Sequence, residues 1–229
     1  MNDAARQNPS GAPFFFPAAL AAALLMAGLY LLLPPLAAPL WPTAAVKGAV
    51  CPCLALALWA SRGGDRPALL GGLALLASAA GDVLLAADGA RLFVPGLAAF
   101  LVAHLLYIAL FVIGGRAAGR MTPIRWALAA AILFHAVGMA IFLAPHLGRM
   151  AVPVYAYLVV ISMMGLSAVR LGRWLVIFGA LSFMLSDSLL ALNKFVQPIS
   201  HIGPAIWIAY VAAQGMIVLG WRNRGGAVQ

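Results

Sequence analysis

Residues 91–114 read RLFVPGLAAFLVAHLLYIALFVIG, and Arg91 is the only formally charged side chain in this run of 24 residues. At the rise of an α-helix such a run extends about 36 Å, enough to cross the ~30 Å hydrocarbon layer of a bilayer. Similar apolar runs lie on both sides of it, separated by short clusters of Pro, Gly and Arg. We therefore predict an all-α, polytopic transmembrane helical bundle of about eight helices, at 14–33, 42–61, 67–87, 91–114, 123–143, 150–170, 173–193 and 201–221.

The composition excludes an ordinary soluble domain. Of the 229 residues, 65% are apolar and 8% are charged, whereas globular domains are about half apolar and about a quarter charged. Eight crossings leave little chain for anything else. We expect a cytoplasmic N-terminal tail at 1–13, a transmembrane domain at 14–221 and a cytoplasmic C-terminal tail at 222–229.

The basic residues test the helix number independently, because cytoplasmic loops are enriched in Lys and Arg. With eight helices, one side of the membrane collects Arg6, Arg62, Arg66, Arg116, Arg120, Arg125, Arg170, Arg173, Arg222 and Arg224. The other side holds Arg91, Arg149 and Lys194, and a surface role is sufficient for Lys194 at the outer end of helix 7. We expect an integral protein of a bacterial inner membrane with both termini cytoplasmic. The net charge of +9 then reflects topology, and we expect no nucleic-acid partner.

A short motif occurs twice. Residues 81–86 read Gly-Asp-Val-Leu-Leu-Ala, and residues 186–191 read Ser-Asp-Ser-Leu-Leu-Ala. Each motif falls late in the third helix of a set of four, which suggests two parallel four-helix repeats at 14–114 and 123–221. Chance similarity in a chain rich in Ala and Leu is the alternative.

Three ionisable residues lie inside the apolar helices. Asp82 and Asp187 each lie about 20 Å from the inner surface, and Lys47, on a helix of opposite direction, reaches a similar depth. Charged groups are costly at this depth and are usually functional or paired. A structural clasp that only holds the helices together is the other interpretation.

Two helices add polar side chains at helical spacing. His104 and Tyr107 share one face of helix 4, and Trp207, Tyr210 and Gln214 share one face of helix 8. Packing or interfacial anchoring would explain the aromatic residues. Gln214 needs hydrogen-bond partners at its depth.

The remaining candidate ligands do not form a metal site. Cys51 and Cys53 stand in a Cys-Pro-Cys run without a His or Cys cluster, which favours simple apolar packing. His135 has no polar companion on its helix, so we expect a structural role. We expect no metal and no cofactor.

The polar residues occur in an ordered series that resembles the lysoplasmalogenase (YhhN-type) family of polytopic membrane hydrolases. The resemblance rests on Lys47, on GDVLL at 81–85, on PGLAAFLVAHLLY at 95–107, on GALSFMLSDSLLA at 179–191, and on Tyr210 and Gln214. It spans helices 2–8. The chain departs from the family pattern at Gly48, where a Pro commonly follows the Lys.

The resemblance implies hydrolysis of the vinyl-ether bond of lysoplasmalogens to a fatty aldehyde and a glycerophospho-amine. The substrate would be a lysophospholipid taken from the membrane. Asp82 and Asp187 would be the catalytic acid and base, in an order that the sequence does not assign. Lys47 would bind the phosphate or keep one Asp ionised. The positioning of glycerol and water would fall to His104, Tyr107, Tyr210 and Gln214.

Two other functional classes use the same features. A small-solute or proton-coupled transporter also needs intramembrane carboxylates and repeats. A non-catalytic lipid-binding or assembly protein would use the charges only to hold helices together. Within the enzyme class, another enol ether or an epoxide is an alternative substrate. The sequence does not indicate the oligomeric state.

Overall fold

The protein is described by a computed structural model that covers residues 12–32, 40–62, 64–115 and 119–222. Its α-helices are α1 (Ala12–Leu32), α2 (Leu40–Arg62), α3 (Arg66–Ala87), α4 (Phe93–Gly114), α5 (Pro123–Leu147), α6 (Ala151–Leu171), α7 (Trp174–Ala191) and α8 (Ile202–Arg222). The prediction of an all-helical bundle of about eight helices is confirmed. Most of the predicted N-terminal tail, the C-terminal tail after Arg222, and Arg116 lie outside the described residues.

The largest difference from the predicted boundaries is at the end of α5. This helix continues through Pro145 to Leu147, and a short 3₁₀ turn at Gly148–Met150 joins it to α6. By length and composition, seven helical stretches of the described chain can cross a membrane, with α5 and α6 forming one run of 49 residues. Gly148 has a φ of 48°, and Tyr155 Oη donates to Ala140 O across the turn (3.4 Å). The run therefore folds back as two antiparallel helices.

The Arg-rich end of the bundle is closed by side chains that satisfy free backbone groups. Asp65 caps α3 by accepting a hydrogen bond from the Ala68 amide (2.8 Å). Arg125 of α5 donates to the last carbonyls of α6, those of Val169 (2.8 Å) and Arg170. These contacts fix the ends of α3 and α6, which carry polar residues nearer to the opposite end of the bundle.

Helices that follow one another in the chain pack as neighbours within α1–α4 and within α5–α8. The two groups meet along α2 with α8 and along α4 with α6. In the described part of the chain, α5 packs on α6 and scarcely touches α7, which leaves a cleft between α5 and α7. The buried core includes Tyr107, Phe111 and Phe183, and the polar residues lie beside it.

Candidate active site

A cavity of about 290 Å³ lies inside the bundle between α2, α3, α7 and α8. Four of the seven predicted catalytic and substrate-binding residues line it: Asp82, Asp187, Lys47 and Tyr210. They come from both halves of the chain. The structure therefore brings the two intramembrane carboxylates and the intramembrane Lys to one cavity.

Asp82 has partners on both of its oxygens. Lys47 Nζ lies 3.7 Å from Oδ1, and Tyr210 Oη donates to Oδ2 (2.6 Å). The Asp82 side chain is only 3% exposed. A side-chain carbon on the preceding Gly81 would lie 2.6 Å from the Phe100 ring, so the glycine allows Phe100 to pack closely on α3 at this point.

Lys47 is held by aromatic rings as well as by Asp82. Its Nζ lies 5.8 Å from the Tyr30 ring centroid and 5.6 Å from that of Trp207, within cation–π distance. Trp207 is fixed in turn, because its Nε1 donates to Ala27 O (3.1 Å). Helix α1 thus supplies part of the wall of the site through Tyr30.

Asp187 has a different set of partners, all on one oxygen. Tyr157 Oη donates to Asp187 Oδ2, and His104 Nε2 lies 2.8 Å from Tyr157 Oη and 3.7 Å from the same Asp oxygen. Since the Tyr157 proton points to Asp187, the His104 N–H is the donor to Tyr157. Among the described residues, Asp187 Oδ1 has no hydrogen-bond partner, and the side chain is 18% exposed.

Tyr107 and Gln214 lie behind the cavity and do not line it. Tyr107 Oη donates to Gln214 Oε1 (2.5 Å), and Gln214 Nε2 donates to Tyr210 Oη (3.3 Å). Cys51 Sγ, expected to be a simple apolar group, lies 3.1 Å from the same Tyr210 oxygen. These buried groups hold Tyr210 in the orientation in which it donates to Asp82.

The two carboxylates are surrounded in corresponding ways. Asp82 of α3 takes one partner from α2 and one from α8, whereas Asp187 of α7 takes one from α6 and one from α4. Helices α2, α3 and α4 are the second, third and fourth of the first half, and α6, α7 and α8 are those of the second half. Each Asp therefore lies on the third helix of its half and takes one partner from the second helix of the same half and one from the fourth helix of the other half. The chemistry is not equivalent, because Asp82 faces a Lys where Asp187 faces a Tyr.

The cavity reaches the end of the bundle where α7 finishes. The chain continues there as a π-helical turn at Leu192–Val196, a feature frequent at functional sites. Lys194 lines the cavity on this turn, donates from Nζ to Gly89 O (3.0 Å) and lies 5.0 Å from the Phe93 ring centroid. It is thus part of the cavity wall as well as of the surface.

The cleft between α5 and α7 approaches Asp187 from the side of the bundle. Its apolar part, about 270 Å³, is lined by Leu128, Ala131, Ile132, Leu181 and other residues. It adjoins a smaller pocket that ends at Asp187, because His135 and Met184 line both. His135 Nε2 lies 3.0 Å from Ser188 Oγ in this passage.

We expect Tyr157→Phe to lower kcat by about 10- to 100-fold, because leaving a buried hydrogen-bonding group without its partner costs about 1–3 kcal/mol. The substitution removes the O–H that fixes Asp187 and leaves His104 Nε2 without its acceptor. Tyr155→Phe is the matched control two residues away on α6, where the lost bond is a 3.4 Å contact to a carbonyl. Equal rates for the two variants in a turnover assay would contradict this role.

Sequence reasoning missed Tyr157, Tyr30 and the cavity-lining role of Lys194. Tyr157 shares its helix with Tyr155, and one helical pattern does not tell which of the two faces a carboxylate. Tyr30 lies in a uniformly apolar helix, where a single Tyr at the membrane interface is ordinary. For Lys194 a signal was present, since it lies on the same face of the helix as Asp187, seven residues on.

Comparison with known proteins identifies relatives along most of the chain. The YhhN family profile matches residues 42–221. The chain is 38% identical over 184 residues to human lysoplasmalogenase TMEM86B, covering 78% of this chain and 75% of that protein. It is 36% identical over 211 residues to the Mus musculus lysoplasmalogenase TMEM86B, covering 90% and 88%. The Mycobacterium bovis lysoplasmalogenase is 37% identical over 156 residues, or 65% and 58%. No solved structure matches significantly.

Proposed function

Because the chain belongs to the YhhN family, we propose that it is an integral membrane hydrolase that cleaves the vinyl-ether bond of lysoplasmalogens. The products are a fatty aldehyde and a glycerophospho-amine. The relatives named lysoplasmalogenase support the reaction class. The observation that carries the proposal within the chain is the single cavity shared by Asp82 and Asp187.

Vinyl-ether hydrolysis needs a proton on carbon and stabilisation of the cation that follows. A carboxylic acid can protonate the β-carbon, and a second carboxylate can stabilise the oxocarbenium ion beside it. Glycosidases divide two carboxyl groups in this way for a related cation. Two carboxylates with unlike surroundings on one cavity suit this division of roles.

The contacts favour Asp187 as the proton donor and Asp82 as the stabilising carboxylate. Both oxygens of Asp82 are occupied, one by Lys47 and one by Tyr210, so neither is free to transfer a proton to substrate. Asp187 keeps Oδ1 without a partner among the described residues and is the more exposed of the two. An oxygen that transfers a proton to substrate has to be reachable.

The steps balance with these two groups and one water. Asp187 gives its proton to the β-carbon, and the C–O carbon becomes an oxocarbenium ion that the Asp82 carboxylate stabilises. Water then adds to that carbon and returns a proton to Asp187. The hemiacetal collapses as its hydroxyl proton moves to the glycerol oxygen, which breaks the C–O bond and releases the aldehyde.

The cleft between α5 and α7 offers a path for the hydrocarbon chain of the substrate. Its apolar part adjoins the smaller pocket that Asp187 lines, and the polar glycerol would lie in the main cavity. A lysolipid has one chain, so one such cleft suffices. This arrangement lets the substrate enter sideways from the bilayer.

Ala131→Trp tests this path, because Ala131 is exposed in the cleft. We expect the indole to fill the cleft and to reduce kcat/KM for long-chain lysoplasmalogens by about tenfold or more, with a smaller effect on short-chain ones. Ala130→Trp is the matched control, on the neighbouring exposed residue that does not line the cleft. A chain-length profile unchanged from wild type in both variants would rule the path out.

The reaction itself is tested by aldehyde release from purified protein in detergent. Three substrates with the same chain and head group are compared: a 1-alkenyl, a 1-alkyl and a 1-acyl lysophospholipid. We expect aldehyde from the alkenyl lipid alone, because only its double bond can be protonated to an oxocarbenium ion. No aldehyde from folded protein across several head groups would overturn the proposal. Proton or solute flux in proteoliposomes would then favour a transporter, a function that none of the relatives named above supports.

We place the protein in the inner membrane of a bacterium with both termini cytoplasmic. The basic residues support this orientation: Arg62, Arg125 and Arg173 lie at one end of the bundle, where each donates to a helix-end carbonyl. Positive residues of this kind favour the cytoplasmic side. A C-terminal reporter that is active only in the cytoplasm tests the orientation.

A further inference from the structure

We propose that Lys194 is the residue that binds the phosphate of the lysophospholipid substrate, in place of Lys47. The proposal rests on the proposed function and adds a phosphate subsite to the same cavity. Its ligand is the phosphodiester of a single-chain lipid. Bilayer phospholipids carry the same group, and the test below separates the two sources.

Lys47 is engaged elsewhere. Its ammonium group is paired with Asp82 at 3.7 Å and lies against the Tyr30 and Trp207 rings. It also lies at the level of the carboxylates, where the vinyl ether has to sit. A phosphate at that place would bring a second negative charge beside Asp82 and displace the reacting bond.

Lys194 lies where the phosphate would be when the vinyl ether is at Asp187. Asp187 and Leu190 of α7 line the cavity, and so does Lys194 on the π-helical turn that continues this helix. Seven residues along a helix correspond to about 10 Å. A glycerol unit separates the vinyl-ether oxygen from the phosphate, and the long, flexible Lys side chain spans the remaining distance.

The charge of Lys194 is available to an anion. Among the described residues its Nζ has a backbone carbonyl and an aromatic ring as partners, and no carboxylate. Asp88, the residue before Gly89, is already committed: its Oδ1 accepts from the amides of Ala90 and Arg91. The other oxygen of Asp88, Oδ2, lies 3.8 Å from Arg91 Nε, so this carboxylate is paired with Arg91.

The test is Lys194→Gln, assayed in nonionic detergent free of phospholipid on two substrates, a 1-alkenyl-glycerophosphocholine and the phosphate-free 1-alkenylglycerol. We expect KM for the phospholipid to rise about tenfold, the effect of losing one charge-assisted bond, with kcat little changed. KM for the alkenylglycerol should stay as in wild type. Arg149→Gln is the matched control, a basic residue at the same end of the bundle that does not line the cavity.

Each outcome decides a separate point. Equal KM changes on the two substrates, or none on either, would overturn the phosphate subsite while leaving the hydrolase intact. An effect that appears only in phospholipid vesicles would assign Lys194 to bilayer lipid and also overturn it. A wild-type protein that releases no aldehyde from either substrate would overturn the proposed function first.

Discussion

Asp187→Asn is expected to reduce kcat for lysoplasmalogen hydrolysis by about 10³-fold or more, in the upper part of the range for a general acid. The amide cannot deliver a proton to carbon, yet it has nearly the same shape. Tyr157 can still donate to the amide oxygen, so the bundle should stay folded. The measurement is aldehyde release together with the melting temperature in the same detergent.

Asp88→Asn is the matched control for this loss. It makes the same change of carboxylate to amide at a partly exposed residue just after α3 that does not line the cavity. We expect its turnover to equal that of wild type. If Asp187→Asn keeps substantial activity while melting normally, Asp187 is not the proton donor.

Lys47→Met is expected to destabilise the fold by about 3 kcal/mol, because removing one partner of a buried ion pair leaves the other charge unpaired. The charge left behind would be that of Asp82, whose side chain is 3% exposed. Met keeps most of the apolar volume, so packing against Tyr30 and Trp207 is largely preserved. The melting temperature should fall clearly.

The double variant Lys47→Met/Asp82→Asn is the decisive comparison. It removes both charges, and we expect it to melt at a higher temperature than Lys47→Met alone, a positive coupling in a double-mutant cycle. Asp82→Asn alone should destabilise less than Lys47→Met, because Lys47 is 19% exposed and keeps its aromatic contacts. Additive losses would show that the pair is not coupled. If the double variant regains stability but not turnover, the charge of Asp82 is needed for catalysis and does not serve only to hold the helices together.

The sequence predicted the helices well because the bilayer imposes one length on every crossing. The observed helices begin and end within a few residues of the predicted ones, with α5 as the main exception. There Pro145 suggests an end to the helix, but it lies in the last turn before Gly148, and the chain turns back at the glycine instead. Local composition marks a helix end only to within about a turn.

The sequence identified the charged residues of the candidate site, but not which side chains bind to each of them. Asp82, Asp187 and Lys47 stand out because charged side chains are costly in lipid. Helical periodicity put His104 and Tyr107 on one face, but it could not tell that one belongs to the network of Asp187 and the other to that of Tyr210. Such partners depend on which helices meet, and those contacts are long-range.

The order of polar groups along the chain bears on how the protein can be inserted into a membrane. Lys47 enters on α2, just before Asp82 on α3, so this carboxylate arrives beside a counter-ion in the adjacent helix. Tyr157 and His104 likewise precede Asp187. Tyr210, which completes the surroundings of Asp82, follows on the last helix. During synthesis, each acidic group therefore finds its first partner on a helix that is already made, and Asp82 gains its second partner, Tyr210, only when α8 is added.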